Sequence, residues 1–156
     1  MQALVQRGTR HLNAGRYDTA ILDFNAALSK ARKCIAALIG RGLAFYKKGD
    51  KQTAMCDFNE AIKIEPRSLE ALRGRFRVQF SLRNYRSALA DINKAIPLQP
   101  RPWKLYNLRG NCYYSMKKYR QSVADYSLAI AITPTSSILW SNRGGPHSWQ
   151  RTIQRI

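Results

Sequence analysis

Residues 103–136 read WKLYNLRGNCYYSMKKYRQSVADYSLAIAITPTS, and the fold follows from this stretch. Tyr106, Gly110, Tyr113 and Tyr114 stand three to four residues apart, the spacing of one helical face. Met116, Lys117 and Lys118 then make a polar turn, after which Val123, Tyr126, Ala129 and Ile130 resume a helical stripe. Pro134 stops that second helix, because proline has no N–H to donate and clashes with the preceding turn. The stretch is a pair of antiparallel helices.

The pattern recurs through the chain with a period of 34 residues. One column holds Gly8, Gly42, Gly110 and Gly144, with Phe76 as the exception. Another holds Ala20, Ala54, Ala88 and Ser122. A third holds Phe24, Phe58, Ile92 and Tyr126, followed three residues on by Ala27, Ala61, Ala95 and Ala129. Pro66, Pro100 and Pro134 close three units, with Arg32 in their place in the first. Small columns let two helix backbones approach, and the large column fills the space between them. One such pair exposes its apolar face, so the units must stack to bury it. The predicted organisation is unit 1 at 1–34, unit 2 at 35–68, a divergent unit 3 at 69–102, unit 4 at 103–136, a partial unit 5 at 137–144 and a non-repeat tail at 145–156. Predicted helices lie near 2–14, 17–30, 35–48, 51–64, 69–82, 85–97, 103–116 and 119–132.

These columns resemble the tetratricopeptide repeat family over residues 1 to about 144. The 35-residue pentatricopeptide pattern fits less well, since the chain keeps its period of 34 and its Gly8, Ala20, Ala27 and proline columns. The resemblance implies an all-α fold, a right-handed α-solenoid of about four helix-turn-helix repeats plus a truncated fifth. Phe76 and Gln79 depart from the pattern, so the third pair is expected to be spread or shifted. Pro146 is expected to break the fifth first helix. Met1 opens a unit with no capping residue before it, and no polar capping helix follows the array, so the chain reads as a fragment or shortened form of a longer protein.

Lys and Arg total 27 against 9 Asp and Glu, a net charge of +18, which points to an acidic partner or a surface kept soluble by repulsion. Arg7, Arg41, Arg75, Arg109 and Arg143 form one column, and Asp23, Asp57, Asp91 and Asp125 another, so an Arg–Asp ladder within or between repeats is expected. Catalytic candidates are scarce. His11 and His147 both fall in a column of aromatic core residues, and the acids outside the ladder are scattered. No glycine spacing cradles a phosphate. Cys34, Cys56 and Cys112 are odd in number and have no CxxC pair, which disfavours a disulfide framework and a zinc site. No catalytic residue, metal or cofactor is therefore assigned. No stretch approaches the ~20 apolar residues that a membrane-spanning helix needs, and the N-terminus lacks a signal-peptide pattern. An intracellular, cytoplasmic protein is the expectation, with cytoskeletal association as a further reading.

In the family, first helices of successive units line a concave groove that takes a peptide. The resemblance places Tyr46, Phe80 and Tyr114 there as an aromatic stripe, with Arg73, Arg77 and Lys104 as cations and Asn107 and Asn111 as amides. Such a surface suits a partner protein or peptide with aliphatic anchors and an acidic or carboxylate-bearing segment. The carboxylate clamp of chaperone-binding members is absent: read from the first unit, its places hold Val5, Thr9, Gly40, Glu70 and Gly74. A co-chaperone role is thus disfavoured. The expected function is a non-catalytic interaction scaffold, with membership of a larger assembly as a further expectation. The alternative is a basic surface binding nucleic acid (RNA) or an acidic cytoskeletal or membrane surface.

Overall fold

The computed structural model describes residues 1–144; Pro146, His147 and the rest of the 145–156 tail lie outside the described residues. The helices are α1 (Gln2–Asn13), α2 (Tyr17–Lys30), α3 (Ile35–Lys48), α4 (Lys51–Ile64), α5 (Leu69–Ser81), α6 (Tyr85–Ala95), α7 (Trp103–Ser115), α8 (Tyr119–Ile132) and α9 (Ser137–Gly144), with a 3-10 turn at Ile96–Leu98. There is no strand among the described residues. The chain forms two compact units, Met1–Leu82 and Arg83 onward, and the division falls inside the divergent third repeat, between α5 and α6.

In the first unit, α1 pairs with α2 and α3 with α4, and α5 packs on α4. Aromatic wedges hold these layers together. Phe24 is fully buried, and a β-carbon at Gly8 or Gly40 would come within 2.9 or 2.3 Å of its ring. Phe58 is equally buried, flanked by Gly42 and Gly74, where an added β-carbon would meet the ring at 3.1 and 2.2 Å. Glycine is required here by close approach, not by backbone conformation. Each ring contributes roughly 1.5–3 kcal/mol of burial, which an alanine in the slot would oppose by displacing it. Ala20, Ala27, Ala54 and Ala61 are completely buried beside these rings.

In the second unit α7 packs between α6 and α8, and α9 packs on α8. Tyr126 takes the wedge position, 2.7 Å from where a β-carbon on Gly110 would lie. Ser122 occupies the alanine column without cost, because its buried hydroxyl donates to the Gly110 carbonyl at 2.9 Å. Ala88, Ala95 and Ala129 are fully buried, and Leu139 of α9 packs on Ala129 and Ile130 with Trp103 and Tyr106.

The turns joining the helices of each pair share one backbone solution. Gly15 and Gly49 have φ of 72° and 93°, and Arg83 and Lys117, their equivalents in the third and fourth repeats, have φ of 61° and 59°. Left-handed backbone suits glycine, so the last two pairs hold a basic side chain where strain would favour none. Asp50 adds a cap to α4, accepting from the Thr53 N–H at 3.0 Å. Its carboxyl is held below the ordinary range chiefly by the Thr53 hydroxyl.

Candidate functional site

The Arg and Asp columns meet within the first, second and fourth helix pairs. Arg7 Nε donates to both Asp23 oxygens at 3.0 Å. Arg41 reaches Asp57 at 2.9 and 2.6 Å, and Arg109 reaches Asp125 at 2.8 and 2.7 Å. All three carboxylates are buried, which makes the planar guanidinium fork the appropriate partner. The Arg7 hydrogen bond holds the Asp23 carboxyl below the ordinary carboxylate range, and the Asp125 hydrogen bond raises the Arg109 guanidinium.

From the second repeat on, the guanidinium also reaches backwards, to an Asn on the second helix of the preceding pair. Arg41 donates to Asn25 Oδ1 at 2.7 Å, Arg75 to Asn59 Oδ1 at 2.9 Å and Arg109 to Asn93 Oδ1 at 2.8 Å. This Asn column is not among those read from the sequence, although Asn25, Asn59 and Asn93 recur at the same period of 34. Its signal is weak because an exposed Asn looks like ordinary surface and the fourth repeat has Ser127 there. The Arg column therefore links neighbouring helices within each unit.

The first unit carries four of the candidate partner-binding residues. Arg73 and Arg77, four residues apart on α5, share one face and are half-buried. Arg73 Nε is enclosed and has no hydrogen-bond partner. Tyr46 packs with Ile39, Leu43 and Phe45 against the Ala54, Phe58 and Val78 cluster, so much of its ring serves the core. Phe80 stacks on Phe76 with ring centroids 5.8 Å apart. The Phe76 ring thus fills the interior where the other repeats have glycine, and it is almost wholly buried.

The other four belong to α7 of the second unit. Lys104 sits over the Trp103 ring, 5.3 Å from its centroid. Asn107 accepts from Asn142 Nδ2 at 2.8 Å, which ties α7 to α9. Asn111 accepts from the Tyr126 hydroxyl at 2.6 Å, and burial is the main cause that raises the pKa of that phenol. Tyr114 is 47% exposed and lies edge-on to Tyr119 with centroids 6.1 Å apart. Both amides therefore already work inside the fold, while Lys104 and Tyr114 face outwards.

His11 does not simply fill the core. Its Nε2 lies 3.7 Å from Asp23 Oδ2, beside the Arg7 rung, and its Nδ1 is buried without a partner. Cys112 is buried and desolvation pushes its thiol up to about 11, which removes its thiolate character at neutral pH. Among the described residues no group of three His, Cys, Asp or Glu side chains could hold a metal ion. No helix there is long and apolar enough to cross a membrane.

Interlocking helix pairs on a 34-residue period define a repeat scaffold, and comparison with known proteins agrees. Residues 5–68 and 104–136 match models described as tetratricopeptide repeat. The chain belongs to the tetratricopeptide repeat family, and its fold class is the all-α solenoid of that family. This is a family of protein-interaction scaffolds, typically non-catalytic. No curated protein matches the sequence. Among solved structures, a MamA fragment from Desulfovibrio magneticus RS-1 aligns with a TM-score of 0.86 at 18% identity, over 99% of this chain and 87% of that one. A protein described as PilF of Pseudomonas aeruginosa aligns with a TM-score of 0.88 at 15% identity, over 99% of this chain and 69% of that one. A thermophilic tetratricopeptide protein of Thermus thermophilus gives 0.78 at 17% identity, over 97% and 80%. At these identities the likeness shows the fold alone.

Proposed function

We propose that this chain is a non-catalytic scaffold that takes an acidic peptide or protein segment on the α1, α3 and α5 face of its first unit. The observation that carries the reading is the pair of half-buried guanidinium groups, Arg73 and Arg77, on one face of α5. Arg73 Nε is enclosed, so a partner carboxylate would accept from the outer guanidinium nitrogens in a charge-assisted bond. Arg77, on the same face of α5, offers a second fork. Ile39 and Leu43 occupy the equivalent register positions on α3, which suits an aliphatic anchor next to the acid. Lys104, Asn107, Asn111 and Tyr114 on the α7 face of the second unit are proposed as partner-contacting residues in their own right. Free, exposed Cys56 suits a reducing compartment, and on this reading the scaffold works in the cytoplasm.

The test is binding of a panel of ten-residue peptides carrying Asp or Glu beside Leu or Ile, with Asn and Gln versions for comparison. Arg73→Glu combined with Arg77→Glu should weaken the acidic peptides at least tenfold while circular dichroism stays unchanged. Lys30→Glu combined with Lys33→Glu, the same charge change on exposed residues elsewhere in the unit, should weaken them much less. Equal losses in the two variants, or no preference for acidic over amide peptides, refute the assignment.

A further inference from the structure

The sequence from Arg83 to the C-terminus contains only two carboxylate side chains, Asp91 and Asp125, and both are buried. The surface of the described second unit therefore exposes no acidic side chain. Five of its eight exposed Lys and Arg side chains among the described residues lie at one end, and Lys94, Arg101 and Lys104 lie at the other. Because α7 packs between α6 and α8 and runs antiparallel to each, the first turns of α6 and α8 lie at the same end as the last turn of α7. Cys112 Sγ, in that last turn, lies 3.6 Å from the carbonyl of Tyr85, the first residue of α6. The turns entering α6 and α8 carry Arg83, Lys117 and Lys118, and the first turns of those helices carry Arg86 and Arg120, all exposed. Two of the five stand on the left-handed turn residues with φ of 61° and 59°. In the first unit the same turn position is glycine, and exposed Asp18 and Asp50 lie close by.

An aromatic accompanies these charges. Lys117 N–H donates to the Tyr114 carbonyl at 2.8 Å, which closes the turn and holds Tyr114 beside the cations. From these observations we infer that the α6 and α8 turn end of the second unit binds single-stranded nucleic acid, with five cations on backbone phosphates and Tyr114 stacking on a base. A strand backbone presents phosphates in series and its bases present aromatic faces, so it can use both parts of the surface. An anionic membrane would use the cations and exposed Leu82 beside Arg83 but not the base-stacking face of Tyr114, and the vesicle arm of the test below separates that source. The inference shares Tyr114 with the α7 residues proposed above, but its five cations are distinct from Arg73 and Arg77 of the peptide site, which lie in the first unit.

Fluorescence anisotropy of the full chain with a labelled 20-nucleotide oligo(U) tests it. If all five cations engage phosphates, affinity should fall about 100-fold between 50 and 200 mM salt. The variant Arg83→Asn, Arg86→Gln, Lys117→Asn, Lys118→Gln, Arg120→Gln should lose at least tenfold at 50 mM and most of its salt dependence. Asn keeps the two left-handed turn residues accessible, and circular dichroism checks that the variant folds. A control with Lys30, Arg32, Lys33, Lys63 and Arg67 all changed to Gln removes equal charge from exposed positions of the first unit and should lose under threefold. Tyr114→Ala should weaken binding about tenfold with an unchanged salt slope. Equal losses in the two charge variants, no oligo(U) binding at 50 mM, equally tight binding of polyglutamate, or tighter binding of phosphatidylserine vesicles would each overturn the inference.

Discussion

Gly74→Ala is the most discriminating test of how the first unit is held together. The added methyl would lie 2.2 Å from Phe58 Cε1, with Cζ at 2.5 Å and Cδ1 at 2.7 Å, against the 3.5–4.0 Å of an ordinary carbon contact. Phe58 cannot retreat cheaply, because it is fully buried and the Gly42 slot already presses on its other side. Overpacking of this severity costs about 3 kcal/mol, and the gain in helix propensity from glycine to alanine returns about 1 kcal/mol. The net loss of about 2 kcal/mol corresponds to a fall in Tm of roughly 4–8 °C for a chain of this size. Urea and thermal unfolding followed by circular dichroism would measure it. The third repeat shows an alternative solution, with Ile92 in the wedge column and Leu108 in the slot column. Shrinking the wedge should therefore rescue the filled slot. Phe58→Leu alone should destabilise by about 1 kcal/mol, and the double variant should be at least 1 kcal/mol more stable than the sum of the singles implies. A Gly74→Ala protein as stable as wild type, or strictly additive variants, would refute the wedge-and-slot account.

Two further predictions concern the turns and the ladder. Lys117→Gly should stabilise the chain by about 0.5 kcal/mol, because relief of left-handed strain exceeds the added freedom of the unfolded chain; Gly49→Ala, with open space around it, should cost about 1 kcal/mol through backbone alone, and thermal melts would read both. Asp23 has a lowered pKa in the folded state, so its contribution is complete above the ordinary carboxylate pKa of about 4 and fades as pH falls through the folded value; Asp23→Asn should lower stability at pH 7 and flatten the acid side of a pH–stability curve measured by urea titration.

The fold was legible because the columns that define it are chemically extreme. Glycine, alanine and large aromatics cannot exchange places at a helix crossing, so Gly8, Ala20, Phe24 and Ala27 survive as a visible period. The helices accordingly fall within a residue or two of their expected ends. The Arg and Asp columns could be paired because opposite charges recur at 34 on the first and second helices, and burial of Asp23, Asp57 and Asp125 is the physical reason they do. The Gly40 and Gly74 slots escaped notice because two repeats share them and two replace them, with Leu108 and Asn142. The left-handed turn column was hidden by a change of chemistry, from Gly49 to Arg83 and Lys117, that leaves the backbone conformation in place. Of the candidate partner residues, Tyr46, Asn107 and Asn111 show why a groove is hard to read from register alone. Outward-facing helix positions also pack and hydrogen-bond to neighbouring helices, and only coordinates apportion the two uses.

Arg41 and Arg109 each hold two partners of unequal strength, an anionic carboxylate within their own pair and a neutral amide on the pair before. Charge-assisted bonds are roughly twice as strong as neutral ones, and losing an ionic partner from a buried site is costlier than losing an amide at the exposed rim. Mechanical load on such a stack is then shared unevenly. Sliding one helix along its pair-mate breaks the stronger bond and strands a buried charge, whereas tilting one pair against the next stretches only the Asn contact and the side-chain layer beside it. Within each unit, compliance is confined to the joints and the helix pairs move as rigid leaves.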